Sequence, residues 1–277
     1  MGVQYNNNGV FGADPSFTFD YNILSLMQGL STTATGLYSH AEGESTSAGG
    51  YASHAEGSIT STNGIYSHAE GVYTQASGDG SHAEGFTTQA NGNYSHAEGY
   101  QTNTNVIAQG SHAEGGFTET IGVYSHAEGE GTHAVGVGSH AEGSTTFANG
   151  AHSHAEGGNT SANGENSHAE GYNTQANGDF SHAEGDNTQA VGNYSHAEGW
   201  RSEAIGDYSH AEGNQTIAFG NYSHTEGVGA IASGSYAHAE GRSTNATGDY
   251  SHAEGYRNTA IEDYSHAEGE STVAIGI

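Results

Sequence analysis

Histidine and glutamate stand two residues apart in seventeen copies of a five-residue word, nearly always Ser-His-Ala-Glu-Gly, between Ser39 and Gly269. The histidines are His40, His54, His68, His82, His96, His112, His126, His140, His154, His168, His182, His196, His210, His224, His238, His252 and His266. The glutamates are Glu42, Glu56, Glu70, Glu84, Glu98, Glu114, Glu128, Glu142, Glu156, Glu170, Glu184, Glu198, Glu212, Glu226, Glu240, Glu254 and Glu268. An imidazole beside a carboxylate can hydrogen-bond to it, or the two can offer nitrogen and oxygen ligands to a divalent cation. Catalysis fits poorly, because a reaction centre needs one unique constellation and these pairs are equivalent. No phosphate loop, nucleophile elbow or Ser/His/Asp arrangement lies outside the word, so no enzyme is expected. His133 and His152 fall outside the word and are expected at the surface.

The elements that position these pairs follow from the period. Successive words start 14 residues apart, with one step of 16 between Ser95 and Ser111. A fixed short period means stacked equivalent coils, hence an all-β parallel solenoid with two short strands per coil. Each 14-mer divides into Ser-His-Ala-Glu-Gly-x-x and Thr-x-Ala-x-Gly-x-x, as in Thr174-Gln175-Ala176-Asn177-Gly178. Strand side chains alternate faces, so Ser or Thr, Ala and Gly are expected to point into the narrow interior. His and Glu then share the opposite face, and stacking at ~4.8 Å turns them into two columns. Neighbouring glutamates at ~5 Å repel by roughly 1 kcal/mol even in water-like dielectric, so their constancy along the chain requires a reason. Asn or Asp in the loose positions, as in Gly92-Asn93-Tyr94, suits tight turns.

The irregularities carry expectations of their own. Ser25-Leu26-Met27-Gln28-Gly29 reads as a degenerate first half-coil, so residues 1–24 form a non-repeat attachment or cap segment and residues 25–277 the solenoid. In the 16-residue step, Thr104, Val106 and Ala108 are expected inside, with the extra pair in the turn after Gly99 or in a bulge. Asn258-Thr259-Ala260-Ile261-Glu262 lacks the second glycine. The last repeat, Thr272 to Gly276, leaves a strand edge expected to be covered by another subunit or by a further domain that is absent or cleaved. Tyrosine precedes the word in ten copies and Phe180 in another; these rings are expected to stack as a ladder rather than bind sugar. The outward positions of the second strand vary (Gln89 and Asn91, Ile217 and Phe219), as on a solvent face.

Composition narrows the function. The formal charge of −29, with Lys and Arg totalling only 3, argues against nucleic acid or anionic lipid as a partner. The low hydrophobicity would suit disorder, but drifting linkers do not hold a 14-residue register. There is no cysteine, hence no disulfide or thiolate metal site, and glycine does not recur every third residue as in collagen. No secretory signal is visible at Met1-Gly2-Val3-Gln4, and no stretch has the ~18 apolar residues of a membrane helix.

The two-strand coil resembles the YadA-like head repeat of trimeric autotransporter adhesins, whose word reads approximately Ser-Val-Ala-Ile-Gly; this chain spells Thr272-Val273-Ala274-Ile275-Gly276. The resemblance covers about 25–276. It implies a left-handed parallel β-roll and a homotrimer, with the second and fourth positions of the word facing the trimer axis. Here those positions hold His and Glu, which makes a greasy interface polar. The His-Ala-Glu form resembles words in bacteriophage tail-fibre proteins, and Val3 to Asp20 resembles a segment common in phage fibres.

Three roles for the columns stay open. In a trimer, His of one chain can hydrogen-bond Glu of the next, with the carboxylate raising the His pKa. Three His and three Glu per layer can ligate an octahedral divalent cation on the trimer axis. The columns can also be a solvated acidic face. The expected function is a stiff trimeric shaft of a virus particle, a phage tail fibre for surface attachment, with a cell-surface receptor or glycan as partner. The alternatives are a bacterial surface adhesin head and, less favoured, an ice-binding solenoid, whose threonines would here point inward.

Overall fold

A computed structural model describes residues 2–7 and 10–275, with side chains from residue 16 onward. Gly276 of the last repeat lies outside the described residues. The chain divides into two compact units, Met1–Gly138 and Ser139–Ile277. Among the described residues every element in both is a β-strand.

The first unit opens with β1 (Gly2–Asn7) and β2 (Val10–Asp20), which pair antiparallel. β2 also pairs antiparallel with β3 (Ser25–Leu30), Phe17 lying opposite Gln28. After β4 (Thr33–Ala34), β5 (His40–Glu44) runs parallel to β3, with Leu26 opposite His40 and Gln28 opposite Glu42. Ser25 to Gly29 thus holds the register of the word, with Leu and Gln in place of His and Glu. From there each coil has a five-residue strand starting at the histidine and a two-residue strand ending at the central alanine or threonine. The five-residue strands pair in register, so His82 lies opposite both His68 and His96, and Glu84 opposite Glu70 and Glu98. The two-residue strands form a second parallel ladder, as in Gln75 opposite Gln89. The second unit repeats this arrangement, from the strand His140–Ser144 to Val273–Ala274.

Between the two ladders only small side chains fit. Ala69, Ala83 and Ala97 of the long strands interleave with Ala76 and Ala90 of the short strands, all fully buried. Among the described residues the largest fully buried side chain is Asn258, followed by threonines. So thin an interior buries little apolar area, and backbone hydrogen bonds between layers carry much of the fold, for example His40 N to Ser53 O at 2.9 Å. Serine at the head of the word does more than fit: Ser39 Oγ donates to Gly36 O at 2.7 Å, and Ser181 Oγ to Gly178 O at 2.6 Å, tying down the corner carbonyl.

The glycine of the word corrects the expected alternation. Gly43 and Gly57 are exposed, whereas Gly36 and Gly50 of the second half-coil are buried. Gly43 has φ +110°, a conformation that swings the backbone out of the pleat, and an added Cβ would lie 2.0 Å from Gly57 O of the next coil. It is small because the neighbouring layer is close, not because it points inward.

The corners differ from expectation as well. The left-handed residue is the one after Asn or Asp, commonly tyrosine, as at Tyr94 (φ 58°) and Tyr208 (φ 58°). The Asn or Asp side chain instead accepts from the preceding coil: Ile65 N donates to Asp79 Oδ1 and Asp79 N to Asn93 Oδ1, both at 2.9 Å. The 16-residue step is also placed differently. Thr102 and Thr104 keep the two inner positions and Ala108 takes the site of the second glycine, all buried, while Val106 is 72% exposed and Ile107 63%. Asn103 and Thr104 stay paired with both neighbouring coils, so the extra pair sits in the corner after Thr104, where no ladder bond is lost. Asn258 replaces the usual threonine and bonds across layers: its Nδ2 donates to Gly269 O at 2.7 Å and to Glu254 O, and its Oδ1 accepts from Thr272 N at 2.7 Å.

Candidate functional site: the histidine and glutamate columns

The in-register long strands stack the word's histidines ring on ring. In the first unit the centroids of His54 and His68 lie 4.9 Å apart with planes 2° from parallel, and His96 and His112 lie 4.8 Å apart. In the second unit His154, His168 and His182 follow at 4.8 Å. Beside each ring stands the glutamate of the same coil. His112 Nε2 lies 3.6 Å from Glu114 Oε2, and His182 Nε2 lies 3.7 Å from Glu184 Oε2. Some rings also face the preceding coil: His68 Nε2 is 3.7 Å from Glu56 Oε1 and 3.9 Å from Glu70 Oε2. These are Coulombic contacts, longer than hydrogen bonds. The side chains are about one-third exposed, His96 at 35% and Glu98 at 34%. The glutamates of the first unit, with Gln28 and the adjacent glycines, line an open groove of about 970 Å³ from Gln28 to Gly115.

Within the single chain several histidines are shifted down. His54, His68 and His96, and His154 and His168 in the second unit, titrate below the ordinary value of 6.5. Partial burial is the main cause and the stacked neighbouring imidazole the next; the glutamates raise the value by less. The carboxyl groups interact along their own column. Glu56 is pushed up to about 7 by hydrogen bonds with Glu70 and Glu42, while Glu70 is held below its ordinary value mainly by its bond to Glu56. Glu156 and Glu170 repeat the pair, with Glu156 pushed up to about 7. Protons shared between successive carboxyls relieve the like-charge repulsion of the column.

Of the two histidines outside the word, His152 is exposed, as expected. His133 is half-buried on the outward face of the second ladder, with Nδ1 3.5 Å from Glu119 Oε2. That face also carries an asparagine ladder absent from the sequence expectations: Asn149 Nδ2 donates to Asn163 Oδ1 and Asn163 Nδ2 to Asn177 Oδ1, both at 2.7 Å. The aromatic ladder is present. Phe180, Tyr194, Tyr208, Tyr222, Tyr236, Tyr250 and Tyr264 stack at 4.8 to 5.0 Å in the second unit. All three basic residues lie over aromatic rings: Arg201 over Trp200 at 4.4 Å, and Arg242 and Arg257 over Tyr256 at 5.9 and 5.0 Å.

A parallel solenoid of 14-residue coils, with one titratable column pair on its long-strand face, is a fibrous repeat domain of the adhesin-head type. Residues 197–223 match the YadA head domain repeat in two copies, and the other coils keep the same 14-residue pattern. No curated protein matches the chain.

Proposed function

We propose that the chain is the shaft of a homotrimeric surface fibre, the tail fibre of a bacteriophage, whose stiffness presents an attachment site to a cell surface. The observation that carries this reading is the unbroken register of the long strands within each unit. It places the same two polar side chains on the same face of every coil, where heads of the YadA type meet their partner chains. Repetition of one His-Glu pair supports a scaffold rather than a catalyst. The polar columns, about one-third exposed on the single chain, then lie between chains.

A bacterial surface adhesin head is the second reading, favoured by the match to the YadA head repeat itself. Gold-labelled antibody against the chain separates the two in electron micrographs. Label along fibres of phage particles supports the shaft; label on the bacterial surface alone moves the function to the adhesin.

A further inference from the structure

We propose that successive coils of a single chain bind divalent transition-metal cations of the zinc type, each ion held by the histidine and glutamate of one coil and the histidine of the next. In the first unit His112, Glu114 and His126 each place a ligand atom within 4.8 Å of the others. His168, Glu170 and His182 do so in the second unit. An independent observation points the same way. Nε2 of His112, His168 and His182 is shielded from solvent yet has no hydrogen-bond partner, although buried polar atoms are normally paired. An imidazole nitrogen so placed is available as a metal ligand.

The donor set selects the ion. Two imidazoles and one carboxylate suit zinc or copper and are poor for calcium or magnesium, which take oxygen ligands. The in-coil pair needs little adjustment: Nε2 and Oε2 of His182 and Glu184 are 3.7 Å apart, against about 3.4 Å between two ligands of a tetrahedral zinc ion. The next ring lies flat above, His196 over His182 with planes 7° apart. It must turn about its Cβ–Cγ bond to aim Nε2 at the ion, and that torsion is broad and soft.

Stoichiometry follows from sharing. Consecutive triads have a histidine in common, so only every second triad fills. The seven words of the first unit give three ions and the ten of the second give five. Ions two coils apart, at roughly 9.6 Å, repel half as strongly as ions in every coil, and the intervening glutamates offset their charge. All ligands come from one chain, so the inference goes beyond the fibre reading and does not depend on it.

The full chain is dialysed against zinc and then against metal-free buffer, bound zinc is measured by elemental analysis, and imidazoles per zinc are counted by X-ray absorption at the zinc edge. The expected result is roughly eight zinc ions per chain, each with two imidazoles. His182→Asn splits the second unit's run and is expected to remove one ion, while His152→Asn, outside the word, removes none; unchanged far-ultraviolet dichroism shows that both variants fold. Fewer than about one zinc per chain would overturn the proposal. So would three imidazoles per zinc, which would put the ion between chains.

Discussion

Replacing Gly115 by alanine, beside the same replacement at Gly116, separates layer packing from strand propensity within one strand. Gly115 has φ +103°, and a Cβ there would lie 2.2 Å from Gly129 O and 3.0 Å from Gly129 C and N of the next coil. Gly116, its neighbour, has nothing within 4 Å of the added carbon. Forcing an L-residue into such a backbone conformation costs about 1–3 kcal/mol. The clash is with main chain, so the layers must part, weakening ladder bonds worth about 1 kcal/mol each. Gly115→Ala is therefore expected to destabilise by about 3–5 kcal/mol, whereas Gly116→Ala stays within about 0.5 kcal/mol or stabilises slightly by restricting the unfolded chain. Thermal unfolding followed by far-ultraviolet dichroism reads the difference, and hydrogen exchange shows whether protection is lost locally at the strands His112–Gly116 and His126–Glu130. Equal midpoints for the two variants would refute the claim that the word ends in glycine because the next layer is too close.

Other expected outcomes follow from the same geometry. Ten histidines, among them His54, His196 and His252, titrate below 6.5 when folded, so their contribution is full above pH 6.5 and is lost as pH falls through the lowered values. Glu56 and Glu156, pushed up to about 7, act in the opposite sense and add stability as pH falls from 7 towards 4.5. The histidines outnumber them, so the melting temperature is expected to peak at about pH 6–7 and decline below; a continuous rise to pH 5 would contradict this. Tyr222→Ala removes a ring stacked at 4.8 Å on both Tyr208 and Tyr236 and is expected to cost about 1–3 kcal/mol, with loss of near-ultraviolet dichroism. Asn258→Ala leaves Gly269 O and Thr272 N without their partner and is expected to cost about 2–4 kcal/mol in chemical denaturation, more than Thr244→Ala.

The period, the two strands per coil and the columns of His and Glu were legible because side-chain alternation and a fixed repeat leave one arrangement. What sequence reasoning missed depends on the layer above. Gly43 and Gly50 look alike in the sequence, yet one is exposed at φ +110° and the other buried. Placing Val106 inside overlooks Thr102, which holds the register set by Thr88 and keeps its ladder. The downward shift of histidines such as His54 within one chain comes from burial and the stacked ring, neither of which the word displays. The roles of serine and of the corner Asn and Asp lie in bonds to carbonyls and amides whose positions the fold alone reveals.

Sedimentation equilibrium on the purified chain tests the central claim most directly. A homotrimeric fibre predicts a particle of three times the 28.4 kDa chain mass, independent of concentration over the accessible range. A particle of the single-chain mass would contradict it.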